Sequence, residues 1–280
     1  MRTIAFVTQK GGAGKSTLAS NISVAARLSG ERVFIIDLDP LQSLVKWSKS
    51  RENADIPVEH VPPAKLNKAL DALEKKGITL VVIDAPGSDS EELNAAIKAA
   101  DLCVIPARPN VFDLWASEVT RVAVKKSGKD YAFLLNQCPP AQQSARVEQG
   151  AKALEAMGGL LSPMVSARVD YQEAARFGLG VSEHNAEGVA AQEMKELWSS
   201  VKRRLKKQSA AKIEAKAETK TEAKAAKAEA RPAAKAETKP AAKVETKPAA
   251  KAAPKIEAKA AAKPAPAPAK VAAKPAKKAA

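Results

Sequence analysis

Short apolar runs alternate along the chain with longer amphipathic stretches. Continuous apolar runs of five or six residues are typical of strands that are covered on both faces of a parallel sheet. The predicted strands are 3–8, 32–37, 80–84, 102–106 and 131–136, with a weaker candidate at 160–165. The predicted helices are 18–25, 41–50, 64–76, 91–100, 111–126, 142–157, 171–176 and 186–207. Prolines at 57, 62 and 63 predict an irregular connection.

This order of elements predicts the fold class. Strands that alternate with helices through short connections favour an α/β fold with a doubly wound, mostly parallel sheet and helices on both faces. Open sheets of this kind bind ligands at the carboxyl ends of their strands. We therefore look for functional residues directly after each apolar run.

The loop between the first strand and the first helix has the composition of a phosphate-binding loop. Its residues are Lys10-Gly-Gly-Ala-Gly-Lys-Ser-Thr17. Glycines allow several N–H groups to point at one anion, and the following helix adds its positive dipole. Lys15 is predicted to neutralise the β- and γ-phosphates, and Ser16 to offer its hydroxyl to Mg²⁺. The predicted nucleotide-binding residues of the loop are Gly11, Gly12, Ala13, Gly14, Lys15, Ser16 and Thr17.

Acidic residues end two other predicted strands. The second strand ends in Asp37-Leu38-Asp39-Pro40, and the third ends in Asp84 before Ala85-Pro86-Gly87. An apolar strand that delivers an aspartate beside a phosphate loop is the arrangement known as Walker B, which supports a metal ion. Carboxylates at such positions can also cap the following helix, so this alternative stays open for Asp37 and Asp39.

One residue makes the loop more specific than a generic phosphate loop. Lys10 precedes the first glycine, and this second lysine resembles the deviant Walker A motif of the ParA/MinD family of ATPases. Three further segments resemble the family: D-x-D-P with S-L-x-x-W-S-K (37–49), I-P-x-x-P-x-x-x-D (105–113) and G-x-x-V-x-E (178–183). The resemblance covers about residues 2–205 and is closest to short ParA proteins. Leu41 departs from the pattern, because the family usually has glutamine there and Gln42 stands one place later.

The resemblance implies roles for individual residues. Lys10 would reach across a dimer interface to the partner's nucleotide, and Asp39 would orient the attacking water. Asp37 and Asp84 would support Mg²⁺, and Asn136 would contact adenine. For Lys10 a solvated lysine, and for Asn136 a satisfied turn amide, remain the alternatives. The predicted catalytic residues are thus Lys10, Lys15 and Asp39, and the predicted metal residues are Ser16, Asp37 and Asp84.

The resemblance also implies an activity. It indicates a slow ATPase with ATP and Mg²⁺ as cofactors, stimulated by a ParB-like adaptor protein. The ATP-bound state would be a homodimer that binds DNA without sequence preference and positions plasmid, chromosome or a protein assembly over the nucleoid. We expect a cytoplasmic, nucleoid-associated protein.

The net charge of +15 is unevenly distributed. Residues 211–280 hold 18 Lys and Arg against 7 Glu, whereas the preceding residues hold 28 basic against 24 acidic side chains. The segment 209–280 has no aromatic residue and consists mainly of Ala, Lys, Pro and Glu. We predict an ATPase domain over 1–208 and a disordered basic tail over 209–280 that binds DNA or acts as a spacer.

A basic run at the end of the last predicted helix is a candidate for non-specific DNA binding. Such a run at a helix carboxyl end can also simply compensate the helix dipole. The predicted DNA-binding residues are Arg168, Arg176, Lys202, Arg203, Arg204, Lys206 and Lys207.

Two rival functions stay open at this stage. One is a nucleoid-binding protein that acts through its tail, and the other is a metabolic or metallocluster-assembly enzyme with the same loop. Cys103 and Cys138 lie far apart and are predicted to be buried free thiols in a reducing compartment. The first strand starts at once, so we expect no signal peptide and no preceding helix-turn-helix domain. The bulky apolar residues of the tail are few and widely scattered, so we expect no stable membrane binding.

Overall fold

The fold is a six-stranded parallel sheet between two layers of helices. The computed structural model describes residues 1–140 and 144–208. The strands are β1 (Arg2–Phe6), β2 (Val33–Asp37), β3 (Val58–His60), β4 (Leu80–Asp84), β5 (Leu102–Ala107) and β6 (Asp130–Leu135). Their order is β3-β2-β4-β1-β5-β6, and all five neighbouring pairs are parallel. The predicted α/β fold class is confirmed.

Nine helices connect these strands over the described residues. They are α1 (Lys15–Leu28), α2 (Ser43–Lys49), α3 (Leu66–Lys75), α4 (Glu91–Ala99), α5 (Val111–Lys126), α6 (Ala145–Ala156), α7 (Asp170–Arg176), α8 (Val181–His184) and α9 (189–208). A short 3-10 turn, Pro63–Lys65, precedes α3. None of these helices is both long and apolar enough to cross a membrane.

Two separate hydrophobic clusters cover the two faces of the sheet. One cluster joins one sheet face to α1, α2 and α7–α9, with Leu18, Trp47 and Leu197 among its buried members. The other joins the opposite face to α3, α4 and α6, with Leu93 and Leu154 among its members. Because both faces are covered, strands such as β2 and β4 are buried along their whole length.

Two sequence predictions differ from the structure at the sheet edges. The connection with three prolines contains the short edge strand β3, in which Glu59 and His60 are exposed, so that no apolar run marks it. The predicted strand 160–165 is not a regular strand: Leu160 forms an isolated bridge with Phe133 of β6, and Ser166 forms another with Cys138 beyond the end of β6. The cis peptide bond Ser162–Pro163 lies between these bridges.

The terminal predictions fall partly outside the described residues. The predicted helix 142–157 is described from Ala145, because 141–143 are outside the described set. The predicted disorder and DNA binding of 209–280 also lie outside it. Cys103 and Cys138 are buried free thiols, as predicted.

Candidate nucleotide site

The phosphate loop lies at the carboxyl end of the central strand β1. The loop turns into α1 at Gly14, whose φ of 90° is in the left-handed region that glycine tolerates. Lys15 begins α1, is 7% exposed, and donates from Nζ to the Lys10 carbonyl at 3.3 Å. Burial lowers the pKa of Lys15, and the charges of Asp84 and Asp39 oppose this shift. An extra phosphate charge at the loop would stabilise this desolvated ammonium.

The sheet register brings the Walker B aspartate to the loop. In the parallel ladders Asp84 is opposite Phe6 on one side and Asp37 on the other. The turn after β4 approaches the loop so closely that a β carbon on Gly87 would lie 3.1 Å from Lys15 Nζ and from the Gly11 backbone. The predicted gathering of carboxylates at this edge of the sheet is therefore present.

Asp84 is a buried carboxylate with no hydrogen bond to either oxygen within the described part of the chain. Burial raises its pKa to about 7, which the nearby Ser16 hydroxyl and Lys15 charge oppose and the charge of Asp37 reinforces. A buried carboxylate without partners is unfavourable unless a cation or donor satisfies it. Beside the Ser16 hydroxyl, this oxygen pair fits a Mg²⁺ ion, which prefers one or two carboxylates together with phosphate and water.

Asp37 has a different environment from Asp84, although both are fully buried. Its Oδ2 accepts from the amides of Leu44 at 2.9 Å and Val45 at 3.3 Å, in the first turn of α2. Its Oδ1 accepts from the Asp39 amide at 3.1 Å. Burial raises the pKa of Asp37, and the three amides oppose the shift. Asp37 thus caps α2, which was the alternative to a role at the metal, and that role stays a prediction.

Asp39 and Leu41 form a tight turn beyond β2. Asp39 is partly exposed, and its Oδ1 accepts from the Leu41 amide at 2.9 Å. The Leu41 side chain is 70% exposed, so the residue that departs from the family pattern packs against little of the described chain. Gln42, one place later, has a φ of 50° and precedes the first residue of α2.

Two amides at the end of β6 hold the loop from the other side. Asn136 Nδ2 donates to the Ala13 carbonyl at 2.8 Å, and Gln137 Nε2 donates to the Gly12 carbonyl at 3.0 Å. Asn136 was predicted to contact adenine. In the structure its amide contacts the loop, and the residue also lines the cavity described next. The adenine contact stays a prediction. Sequence reasoning missed Gln137. Its position directly after a strand, at the carboxyl edge of the sheet, is the signal that could have identified it.

A cavity of about 530 Å³ opens next to the loop and is large enough for a nucleoside. Gly14, Thr17 and Asn136 line one side of it, and Arg168 and Tyr171 line the other. The Tyr171 hydroxyl is buried and has no hydrogen-bond partner among residues 1–140 and 144–208. Sequence reasoning missed Tyr171. It predicted a DNA contact for Arg168, which lies in this cavity wall and pairs with Glu193 at 2.9 Å, and that DNA contact stays a prediction.

Lys10 lies at the mouth of the loop and points at α5. Its ammonium is 5.9 Å from the centre of the Phe112 ring, within the range of a cation–π contact. The loop is tied to the same helix through the Gln9 amide, which donates to Thr120 Oγ1 at 3.1 Å. The Lys10 side chain therefore lies beside its own loop, and within the described residues it makes no ion pair.

The predicted DNA-binding residues do not form one uniform patch. Four of them make ion pairs: Arg168 with Glu193, Arg176 with Glu173, Lys202 with Glu31, and Arg204 with Asp130. The other three, Arg203, Lys206 and Lys207, are exposed on the last turns of α9, where Val201 and Leu205 face the core. Within residues 1–140 and 144–208 these three side chains make no ion pair, although the charge of Lys206 acts on Glu31, so they are the most available to phosphates.

Comparison with known proteins agrees with this geometry. The model of the CobQ/CobB/MinD/ParA nucleotide binding domain matches residues 4–242. The maintenance of carboxysome distribution protein A of Halothiobacillus neapolitanus is 30% identical over 213 residues, which cover 71% of this chain and 95% of that protein. The protein of the same name from Gloeobacter kilaueensis is 36% identical over 169 residues, covering 55% of this chain and 75% of that protein.

Two solved structures show the same fold. Apo McdA of Cyanothece superposes with a TM-score of 0.61 at 17% identity and covers 73% of this chain and 99% of its own. The septum site-determining protein MinD of Pyrococcus horikoshii, solved with Mg-ADP, superposes with a TM-score of 0.57 at 20% identity, covering 71% and 95%. The nucleotide of that complex belongs to MinD, and at these identities the likeness establishes the fold.

Proposed function

We propose that this chain, which belongs to the CobQ/CobB/MinD/ParA nucleotide-binding domain family, is an ATP-gated positioning ATPase. The observation that supports this best is the buried Asp84 carboxylate, which has no hydrogen bond among the described residues and is held by β4 beside Lys15 and Ser16 of the phosphate loop. This arrangement has the charges for a magnesium nucleotide, with Lys15 for the phosphates and Asp84 with Ser16 for the ion. Mg²⁺ would neutralise the developing phosphate charge.

The chain's own residues divide the remaining work. The amides of the loop and the start of α1 bind the phosphates, and Lys15 neutralises their charge. Asp39, partly exposed at the end of β2, orients the attacking water. Asn136 and the cavity beside it hold the nucleoside. Because these groups position and polarise without a strong base, hydrolysis is slow until a second protomer completes the site.

The second protomer supplies Lys10. The side chain lies at the mouth of its own loop, 5.9 Å from the Phe112 ring, and is free of ion pairs among the described residues. In a two-fold dimer that joins the two loop mouths, Lys10 would contribute a charge to the partner's phosphates in the manner of an arginine finger. ATP thus favours the dimer, and a stimulating adaptor protein ends that state by promoting hydrolysis.

The cargo we propose is a protein assembly rather than a DNA replicon. The Halothiobacillus relative, 95% of whose length is matched by this chain, is named for maintenance of carboxysome distribution. Non-specific DNA would provide the surface over which the assembly is distributed, bound by Arg203, Lys206 and Lys207 together with the basic segment 209–280.

A metallocluster-assembly enzyme is less compatible with the cysteines. Cluster ligands are thiolates. Burial raises the pKa of Cys103 to about 12 and that of Cys138 to about 11, which keeps both thiols protonated. An iron–sulfur absorbance in the purified protein would restore this alternative.

The activity is tested with three variants of the full chain. We expect Lys15→Ala to lose nucleotide binding, Asp39→Ala to bind ATP without turning it over, and Asp71→Ala, an exposed carboxylate on α3, to behave as wild type. Phosphate release and equilibrium binding of a fluorescent ATP analogue are the measurements. Normal turnover in Asp39→Ala would contradict the role of that residue.

The cargo is tested by trapping Asp39→Ala with ATP in an extract of the native cell. Recovery of an adaptor together with the components of a protein assembly would support the proposal. An adaptor that recognises its own DNA sequence would instead make this a DNA-segregation ATPase.

A further inference from the structure

Arg108 lies beside the phosphate loop, and sequence reasoning assigned it no role. It directly follows β5, in which Val104 is the neighbour of Phe6 in β1, so that both strands end at the same edge of the sheet. A β carbon on Gly12 would lie 3.8 Å from Nη1 of Arg108. The guanidinium is therefore close enough to the loop to share an anion with the loop amides.

The buried carboxylate of Asp113 sets the direction of this guanidinium. Nε of Arg108 donates to Oδ1 at 2.9 Å, and Nη2 donates to Oδ2 at 3.1 Å. The Asp113 side chain is 2% exposed, and its amide donates to Oδ1 of Asn110, which caps α5, at 3.0 Å. Because a planar guanidinium bound at two points cannot turn freely, Asp113 is the positioning residue of Arg108.

The rotation of α5 keeps Asp113 in this place. The helix buries Asp113 and Thr120, whereas Phe112 and Trp115 are 68% and 64% exposed. An amphipathic helix in a folded domain normally buries its apolar side. Here Thr120 Oγ1 accepts from the Gln9 amide, in the segment that leads from β1 to the loop, at 3.1 Å. Polar contacts on the loop side therefore fix the side of α5 that carries Asp113.

The ion pair with Asp113 leaves part of the Arg108 guanidinium unused. Nη1 makes no hydrogen bond within residues 1–140 and 144–208, and the Arg108 side chain is 33% exposed. Neutralising the Asp113 carboxylate accounts for the bonds of Nε and Nη2. It does not account for the approach of Nη1 to Gly12, which leaves donors available beside the phosphate loop.

The two ends of the loop indicate which phosphate Nη1 would meet. The cavity for the nucleoside opens beside Gly14, at the end of the loop. Lys15, which is predicted to neutralise the β- and γ-phosphates, reaches back with its Nζ to the Lys10 carbonyl at 3.3 Å. A nucleotide with its base in the cavity therefore has its last phosphate toward the beginning of the loop. Gly12, with Nη1 of Arg108 next to it, belongs to that part of the loop.

We propose that Arg108 binds the terminal phosphate of a nucleoside triphosphate through Nη1, and that Asp113 holds the guanidinium in the direction that this contact requires. The inference rests on the proposed function, which puts a nucleotide in the loop. A charge-assisted hydrogen bond to a phosphate oxygen is among the strong ones. Because a diphosphate lacks the third phosphate, Arg108 would make the site prefer a triphosphate.

The test needs a variant that removes the guanidinium without leaving Asp113 as an unpaired buried charge, which would threaten the fold. Arg108→Gln combined with Asp113→Asn replaces the ion pair by a neutral pair and leaves the net charge unchanged. The matched control is Arg121→Gln combined with Glu118→Gln, which neutralises another ion pair of α5. Arg121 also acts on Tyr131, near the beginning of β6 and thus toward the opposite edge of the sheet from the loop.

Nucleotide affinity is measured by calorimetric titration of the full chain with Mg-AMP-PNP, a triphosphate that is not hydrolysed, and with Mg-ADP. The titrations use a protein concentration at which light scattering shows a monomer. We expect the neutral pair at 108 and 113 to raise the dissociation constant of AMP-PNP by about tenfold and to leave that of ADP unchanged. The control pair is expected to leave both constants unchanged.

A second variant tests the inference independently of how the neutral pair folds. Arg108→Lys keeps a positive charge beside Asp113 and lacks the planar fork that serves two partners at once. It is expected to show the same selective loss of AMP-PNP affinity. Thermal unfolding without nucleotide checks that each variant is folded.

The outcomes separate this inference from the proposed function. Unchanged AMP-PNP affinity in the folded Arg108 variants, or an equal loss of AMP-PNP and ADP affinity, would overturn the inference. The proposed function would then stand, because the wild-type protein would still bind the triphosphate. Failure of the wild-type protein to bind AMP-PNP would overturn the proposed function and the inference with it.

Discussion

The side chain of Asn136 holds the phosphate loop by donating a hydrogen bond to the Ala13 carbonyl at 2.8 Å. The two residues are brought together by the sheet, because Asn136 directly follows β6 on the same edge at which β1 leads into the loop. Asn136 is 4% exposed, so water cannot readily replace its amide. The residue therefore acts on the shape of the loop before any nucleotide binds.

We expect Asn136→Ala to destabilise the nucleotide-free protein by about 1–3 kcal/mol, since it leaves the buried Ala13 carbonyl without its donor. Urea unfolding without nucleotide measures this loss. Gln137→Ala is the matched control: its bond to the Gly12 carbonyl is exposed and is expected to contribute less. Equal stability of Asn136→Ala and wild type, combined with weaker ATP binding, would instead favour a role in contacting adenine alone.

Gly14→Ala is expected to disrupt the loop where Gly11→Ala does not. A β carbon on Gly14 would collide with the Asn136 amide, and its φ of 90° is unfavourable for alanine. A β carbon on Gly11 meets nothing within 4 Å. The free energy of unfolding without nucleotide should fall by more than about 1 kcal/mol for Gly14→Ala alone. Similar losses in the two variants would show that the Gly14–Asn136 approach does not constrain the loop.

Glu183→Gln tests a buried ion cluster that joins α8 to the end of α2. Arg51, with its side chain 2% exposed, donates to both oxygens of Glu183 at 2.8 and 2.9 Å and to Asp55 at 2.8 Å. Burial alone would raise the pKa of Glu183, but the bonds from Arg51 and the Gly180 amide lower it overall. We expect Glu183→Gln to reduce stability at pH 7 by about 3 kcal/mol, because Arg51 loses a buried counter-charge.

The pH dependence follows from the direction of that shift. A carboxyl group whose pKa is lowered by folding binds fewer protons in the native state, so it stabilises the fold above its ordinary value of 4.5. The difference between wild type and Glu183→Gln should therefore be largest above about pH 5 and shrink as the pH falls below 4.5. Urea unfolding between pH 3.5 and 7 measures it. Glu52→Gln, at an exposed carboxyl group, is the matched control and is expected to leave the stability at pH 7 close to that of wild type.

Charge reversal at the end of α9 tests the DNA contacts of the domain. The triple change Arg203→Glu, Lys206→Glu and Lys207→Glu is expected to weaken DNA binding strongly and to reduce its salt dependence. The matched control reverses Lys68 and Lys75 on α3 and Lys76 directly after it, which are all exposed and give the same change in net charge. Equal loss in both triple variants would mean that only net charge matters. ATP-independent binding that disappears on truncation after Gln208 would assign DNA to the basic segment instead.

The sequence predicted the residues of the phosphate loop and of the neighbouring strand ends, but not the contacts that other elements make with them. Asp84 and Lys15 are predictable because a continuous apolar strand and a glycine-rich turn are local patterns. Asn136 and Tyr171 meet the loop only through the sheet order and the packing of α7, so no local pattern gives their contacts. The strand β3 escaped prediction because an exposed edge strand needs no apolar run.

Helix α5 shows the limit of periodicity most clearly. Its apolar residues have helical spacing, and the helix was predicted with its bounds from 111 to 126. The same spacing implies that the apolar side faces the core, and the structure places that side in solvent. Periodicity identifies the helix, but the polar bonds of Asp113 and Thr120 to residues outside the helix decide which side faces inward.

The central position of β1 has a consequence for how the protein is made. Arg2–Phe6 is translated before both of its neighbours in the sheet, which are Leu80–Asp84 and the start of Leu102–Ala107. At about 5–20 residues per second, this apolar segment is synthesised about 5–20 s before its second neighbour. The phosphate loop waits still longer for the hydrogen bond from Asn136 to the Ala13 carbonyl, because Asn136 is synthesised after both neighbouring strands. The complete nucleotide site can therefore form on the nascent chain only after Asn136 has emerged.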